Sequence, residues 1–137
     1  MKKTFSILML FLLITTPLLA QKNKKTIEVL YFKANLCSCR SRVCTAVGKD
    51  IQSVIEELYP DNSVIFSEVK IADKANKELV TKYNAKSQTL ILLKEKKRKE
   101  VFLDISELVQ KYSKDKDKQA FEDGFKSKMV ELKKLKK

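Results

Sequence analysis

Three cysteines, all the sulfur of the thiol kind that the chain has, lie in the eight residues Cys37-Ser38-Cys39-Arg40-Ser41-Arg42-Val43-Cys44. A thiolate is the reactive form of cysteine, and positive charge or a helix N-terminus stabilises it. Arg40 and Arg42 lie inside the run, and a helix pattern starts at its end. The spacing therefore permits thiol–disulfide chemistry, with Cys39 as a candidate attacking thiol, Cys44 as its resolving partner and Cys37 as a third, modulating thiol. The same three thiolates also suit a soft ion, Cu(I) or As(III), or a three-sulfur Zn site, with the two arginines offsetting the negative charge. A third reading is a single structural bridge, which over so short a loop stabilises by ~2 kcal/mol in the chain-entropy model. Three is an odd number, so one bridge leaves one thiol over.

Other chemistry is excluded by composition. The chain of 137 residues contains no histidine. Ser-His-Asp and Cys-His catalysis and the histidine-containing zinc sites are therefore impossible within it. The formal charge of +12 raises the question of nucleic acid. The lysines are interleaved with Asp and Glu along the chain, and no nucleic-acid motif occurs, so the charge reads as a solvated basic surface with no nucleic-acid partner. At most it supports peripheral contact with an anionic membrane surface.

Residues 1–20 read as a secretory signal peptide. Lys2 and Lys3 supply the positive start, Phe5 to Ile14 an apolar run too short to span a bilayer, and Pro17 followed by Leu18-Leu19-Ala20 a break and a small residue before Gln21. The expected protein is exported, in a compartment such as the periplasm where disulfides persist. Residues 21–137 then form one domain, a length that leaves no room for two.

The elements that must position the cysteines follow in order. Thr26 to Lys33 is β-rich with a continuously apolar middle, Val29-Leu30-Tyr31-Phe32, the pattern of a central strand buried on both faces. A helix is predicted from Ser41 or Val43 to Tyr59, with Val43, Val47, Ile51, Ile55 and Leu58 on its buried face. Gly48 inside it costs roughly 1 kcal/mol relative to alanine, which points to close packing. Ser63 to Ile71 reads as a second strand, and Asp73 as the cap of a second helix carrying Ala75, Leu79 and Tyr83 on one face. Thr89 to Leu93 and Val101 to Leu103 read as a hairpin joined by the charged stretch Lys94–Lys99. A helix capped by Asp104 or Ser106 follows, and then a basic C-terminal helix over about 117–137. In that helix Phe121, Phe125, Met129, Leu132 and Leu135 form an amphipathic stripe for packing on the domain or, as the alternative, for docking to a partner or membrane surface. Two βα units, a hairpin and a helix make an α/β sandwich with a mixed sheet.

A cysteine cluster between the first strand and the first long helix resembles the redox position of thioredoxin-like proteins. The resemblance covers about Thr26 to Tyr112. Val29-Leu30-Tyr31-Phe32 looks like the strand before the site. Tyr83 to Leu92 is similar to the stretch in which thioredoxins carry a cis-proline and then threonine, with Gln88 in the proline's place and Thr89 as the threonine. More narrowly, the chain resembles small bacterial thioredoxin-like proteins named as a nitrophenyl-compound nitroreductase subunit, although nothing in it supplies a flavin site. The resemblance implies a three-layer thioredoxin-like sandwich with an extra C-terminal helix, a protein thiol or disulfide partner and no cofactor. Two departures stand out. The motif is Cys-x-Cys-x-x-x-x-Cys in place of Cys-x-x-Cys, and Gln88 replaces the proline that shapes substrate binding in the family. The alternative to catalysis is an accessory or interaction domain with a structural disulfide.

Overall fold

Four strands and four α-helices, in the order βαβαββαα, make up the computed structural model, which describes residues 26–34, 38–96 and 99–135, with 38–41, 44 and 96 described by backbone alone. Strand β1 is Ile27–Lys33 and helix α1 is Ser38–Leu58. Strand β2, Val64–Lys70, is followed by a 3-10 turn at Lys74–Asn76 that runs into α2, Lys77–Lys82. The hairpin is β3, Thr89–Lys96, with β4, Lys99–Asp104. Helices α3, Ser106–Asp115, and α4, Lys118–Lys134, close the chain. The 1–20 segment read as a signal peptide lies outside the described residues.

The sheet order is β2-β1-β3-β4. The apolar run of β1 explains its inner position, because all of Val29, Leu30, Tyr31 and Phe32 are buried. Strand β2 runs parallel to β1, from Ile27 opposite Val64 to Lys33 opposite Lys70. A parallel pair needs a crossover, and α1 supplies it. Strands β3 and β4 add on antiparallel, with Phe32 opposite Thr89 and Leu92 opposite Leu103.

Each sheet face has its own core. On one side Val29, Tyr31, Leu90 and Leu92 meet Val47, Ile51, Val54 and Ile55 of α1, Val109 of α3 and the α4 stripe. In that stripe Phe121, Phe125, Met129 and Leu132 are buried and Leu135 packs at the margin, so the amphipathic pattern is spent on the domain itself. Asp117 caps α4 by accepting from the Ala120 N–H at 2.9 Å. Lys94 reaches across to donate to the Leu132 carbonyl at 2.6 Å. On the other side Leu30, Phe32, Val69 and Ile91 meet Leu79, Val80 and Tyr83 around α2. A βαβ unit, then an antiparallel hairpin and a helix, with α1 and α3 on one face and α2 on the other, is a thioredoxin-like sandwich; α4 is the additional C-terminal helix.

Tyr83 joins α2 to the edge strand β4. Its hydroxyl donates to Glu100 Oε1 at 2.6 Å, and Lys82 Nζ donates to Glu100 Oε2 at 2.6 Å. Burial, reinforced by the Glu100 carboxylate, pushes the Tyr83 phenol up to about 12. Burial alone would raise Glu100, but the hydrogen bonds from Lys82 and Tyr83 outweigh it and hold the carboxyl below its ordinary value. For the phenol, a folded value above the unfolded value of 10.0 means that the neutral form stabilises the fold. That contribution is complete below pH 10 and is lost as pH rises through about 12. Wild-type protein should therefore lose up to about 2 kcal/mol more stability than Tyr83→Phe over that interval. Urea unfolding of both proteins at stepped alkaline pH measures it, and parallel curves would refute it.

Three boundaries differ from those expected. Helix α1 begins at Ser38 rather than at Ser41 or Val43. The helix expected from Asp73 is split: Asp73 does cap it, accepting from the Ala75 N–H at 3.0 Å, but the first turn is 3-10, Ala75 is exposed, and only Leu79, Val80 and Tyr83 face the core. The charged stretch Lys94–Lys99 is mostly strand, because the β3–β4 ladder continues to Lys96 opposite Lys99.

Candidate redox site

Cys39 and Cys44 belong to the helix that starts beyond the end of the sheet where β1 finishes. Cys39 and Cys44 are both within α1, in its first two turns. Cys37 lies outside the described residues. Arg40 and Arg42 are likewise helical rather than in a loop, and the Arg42 side chain is exposed.

An early helix start constrains the pairing. Two positions five apart in an α-helix are separated by 7.5 Å of rise and a 140° rotation, which puts their Cα atoms about 8.7 Å apart. Disulfides need about 4.4–6.8 Å. Cys39 and Cys44 therefore cannot bridge while α1 is helical from Ser38. The helix dipole also separates them. Its positive end acts within the first turn, where Cys39 lies, and has faded at Cys44.

Cys44 is one turn before Gly48 and so belongs to the same side of the helix. At Gly48 α1 approaches the sheet closely. A Cβ there would lie 2.7 Å from Tyr31 Cε1 and 3.0 Å from Glu68 Oε1. The Tyr31 ring is fully buried and stacks on Phe66 with centroids 6.2 Å apart. Glu68 is held in turn by Lys33, whose ammonium donates to it at 2.6 Å. Glycine at this position thus fixes the height of the cysteine-bearing turns above β1.

Gly48→Ala should lower stability by about 1–2 kcal/mol, since overpacking against a fixed ring outweighs the gain of helix propensity. Gly124 is the control. Its Cβ would also meet an atom at 2.7 Å, but that atom is the free end of the half-buried Leu108 side chain. Gly124→Ala should be neutral or stabilise by up to about 1 kcal/mol. Chemical denaturation of the two variants decides it, and equal effects would show that the Tyr31 contact yields.

The loop before β3 meets the same end of the sheet. The Gln88 N–H donates to the Phe32 carbonyl at 2.8 Å. Thr89 is buried, and its hydroxyl accepts from the Lys86 N–H at 2.9 Å. Gln88 has φ 67°, in the left-handed region, and no peptide bond among the described residues is cis. A non-glycine residue there costs about 1–2 kcal/mol, so the turn is held by its surroundings. Gln88 and Thr89 are therefore brought to the end of β1 that leads into the cysteine run. Lys33 and Glu68 were not singled out from the sequence, and Tyr31 only as part of the buried first strand, because only the β1–β2 register and the bare Gly48 position bring the three under α1.

No protein-family model matches the chain, and no curated protein does. Solved structures do overlap with it. A structure described as that of a malarial protein is 26% identical, with a TM-score of 0.40, over 58% of this chain and 81% of that one. A thioredoxin from Thermus thermophilus is 17% identical, with a TM-score of 0.42. Human ERp44 in a zinc-bound form is 18% identical, with a TM-score of 0.40, over 66% of this chain. The overlap spans 58% of the thioredoxin and 26% of ERp44. The thioredoxin-like class rests on the strand order, register and helix placement described above.

Proposed function

We propose that the chain is an exported thioredoxin-like protein that exchanges thiols and disulfides with protein partners through Cys37, Cys39 and Cys44. The observation that carries this reading is the position of Cys39 and Cys44 in the first turns of α1, directly after the end of β1. The Cys39 thiolate, favoured by the helix N-terminus, attacks a partner disulfide. A mixed disulfide forms and one partner thiol leaves. A second cysteine of the chain then displaces the other partner thiol, so that the partner is reduced and the chain is oxidised by the same two electrons. Export rests on the 1–20 segment. Among the described residues no helix is long and apolar enough to cross a membrane. The narrower kinship with the nitrophenyl-compound nitroreductase subunit family belongs to this proposal, as a family label without a flavin-dependent activity.

The test is mass mapping of the cysteines in protein taken from the periplasm, with and without reductant, together with an insulin disulfide-reduction assay. Reversible oxidation and a rate lost in the triple serine variant support the proposal. A permanent bridge with no insulin reduction would instead identify an accessory domain.

One observation favours a second reading. Sulfurs sharing a zinc ion with Zn–S bonds of 2.3 Å stand about 3.8 Å apart, against 2.05 Å in a disulfide. A spacing too wide for a bridge is thus easier for Zn, Cu(I) or As(III) to span. Competition for these ions by the reduced protein tests it, and no uptake would remove it.

A further inference from the structure

We infer that the part of the sheet left open beside α2 docks a short, basic, amphipathic helical segment of a partner protein. The strand register carries the first half of the inference. Ile65 is opposite Glu28, Glu28 is opposite Leu93, and Leu93 is opposite Phe102, so these four side chains form one row across all four strands. The row is on the α2 side, as the burial of Leu30 and Phe32 with Val69 and Ile91 requires. Helix α2 has six residues and leaves the row open except at Phe102, against which the ring of its C-cap residue Tyr83 packs edge-on with centroids 5.0 Å apart. Ile65 is 46% exposed and Phe102 43%, Leu93 is half-buried and Glu28 is exposed. The row is four residues along β1 from Phe32, about 13 Å from the cysteine end.

Charge carries the second half. The chain is strongly basic, with a formal charge of +12. Yet the strand alternation puts Glu28, Glu95, Glu100 and Asp104 on the α2 face and no strand lysine there. Lys33, Lys70, Lys94 and Lys99 all alternate to the opposite face. Glu95 is directly opposite Glu100, an unfavourable pairing of like charges. Glu100 is answered by Lys82 at 2.6 Å, whereas Glu28 and Glu95 have no ion-pair partner among the described residues. Lys82 of α2 shows what the face accepts, which is an apolar helix side flanked by lysine.

Size selects the occupant. Three strand gaps make a row about 14 Å long, the length of a helix of about ten residues. A stable dimer buries roughly 800 Å² per partner, far more than three apolar side chains supply, and copies with this net charge repel one another. A single segment with apolar residues at i, i+3, i+4 and i+7 and lysines or arginines beside them fits.

The probe is a synthetic helical peptide of about fourteen residues with leucine on that stripe and lysine flanks, titrated into the ¹⁵N-labelled full chain. Its twin carries glutamate in place of lysine. Saturable binding of the lysine peptide alone is expected, with shifts at Glu28, Ile65, Leu93 and Phe102. Binding should weaken by at least roughly tenfold in the Glu28→Lys/Glu95→Lys variant and in Ile65→Ser, both checked for folding by circular dichroism. Equal binding of the two peptides, or shifts on another surface, would overturn the inference. So would self-association of the chain that the double variant abolishes, because the occupant would then be a second copy. Binding seen only after removal of residues 1–25 would assign the face to the chain's own leader and overturn it as well.

Discussion

Phe125→Ala is expected to lower unfolding stability by about 3–5 kcal/mol, the range for deleting a fully buried phenylalanine from a packed core. Phe125 is fully buried in the middle of α4. Its ring lies 6.0 Å from that of Phe121 and 6.1 Å from that of Tyr59, which follows α1, so it ties the last helix to the first. The site also cannot collapse easily. Ile51, Val54 and Ile55 of α1 are held against the sheet from below by Val29 and Leu92, and Met129 and Leu132 continue the same stripe. A domain whose whole stability is about 5–15 kcal/mol would lose a large fraction of it. The contrast is Val130→Ala, on the same helix but 50% exposed, which should change stability by less than about 0.5 kcal/mol. Guanidinium unfolding of both variants measures the difference. If Phe125→Ala cost no more than Val130→Ala, α4 would be an appendage and the core would end at α3.

The α4 packing was legible in the sequence as a spacing of Phe121, Phe125, Met129 and Leu132, although that spacing serves docking and burial equally well. What decides between them is the exposed sheet surface next to β3 and β4, which no local pattern reports. The position of β1 was legible for a stronger reason. Four consecutive apolar residues leave no polar face, so the strand has to be internal. The start of α1 was not legible, because Ser38 to Arg42 contains no aliphatic or aromatic residue to set a helical period, and the turns there bury none of the described side chains before Val47. The β3–β4 ladder was hidden by charge: Lys94 to Lys99 reads as a loop, yet Lys94 has its stem over the core and its ammonium on the end of α4, and long cationic side chains are compatible with such half-burial. For the site, the motif order around β1 and β3 in the sequence already puts Cys39, Gln88 and Thr89 at one end of the sheet, where the described residues have them. It could not give the helical phase between Cys39 and Cys44, since that depends on where α1 begins.

That phase leads to the prediction with the largest kinetic effect. In Cys37→Ser, formation of an intramolecular disulfide should slow by roughly a hundredfold relative to the wild type. The remaining pair, Cys39 and Cys44, would have to close a gap about 2 Å longer than a disulfide spans, which means opening the first turns of α1. A strain of roughly 3 kcal/mol corresponds to about a hundredfold in rate. Treated with glutathione disulfide, the variant should therefore accumulate glutathione adducts on separate cysteines, whereas the wild type releases glutathione and closes a bridge that includes Cys37. Cys44→Ser keeps Cys37 and Cys39, which are two residues apart and do not have to span the helical turns, and should still close. Quenching with an alkylating agent at intervals, followed by peptide mass mapping, follows both species. A Cys39–Cys44 linked peptide appearing at the wild-type rate in Cys37→Ser would show that the first turns of α1 open freely, and the helical spacing would then place no limit on which thiols pair. The outcome also bears on metal. An ion between sulfurs tolerates the wider gap, so a Cys37→Ser protein that fails to bridge but still retains an equivalent of Zn or Cu(I) would favour the binding reading over exchange.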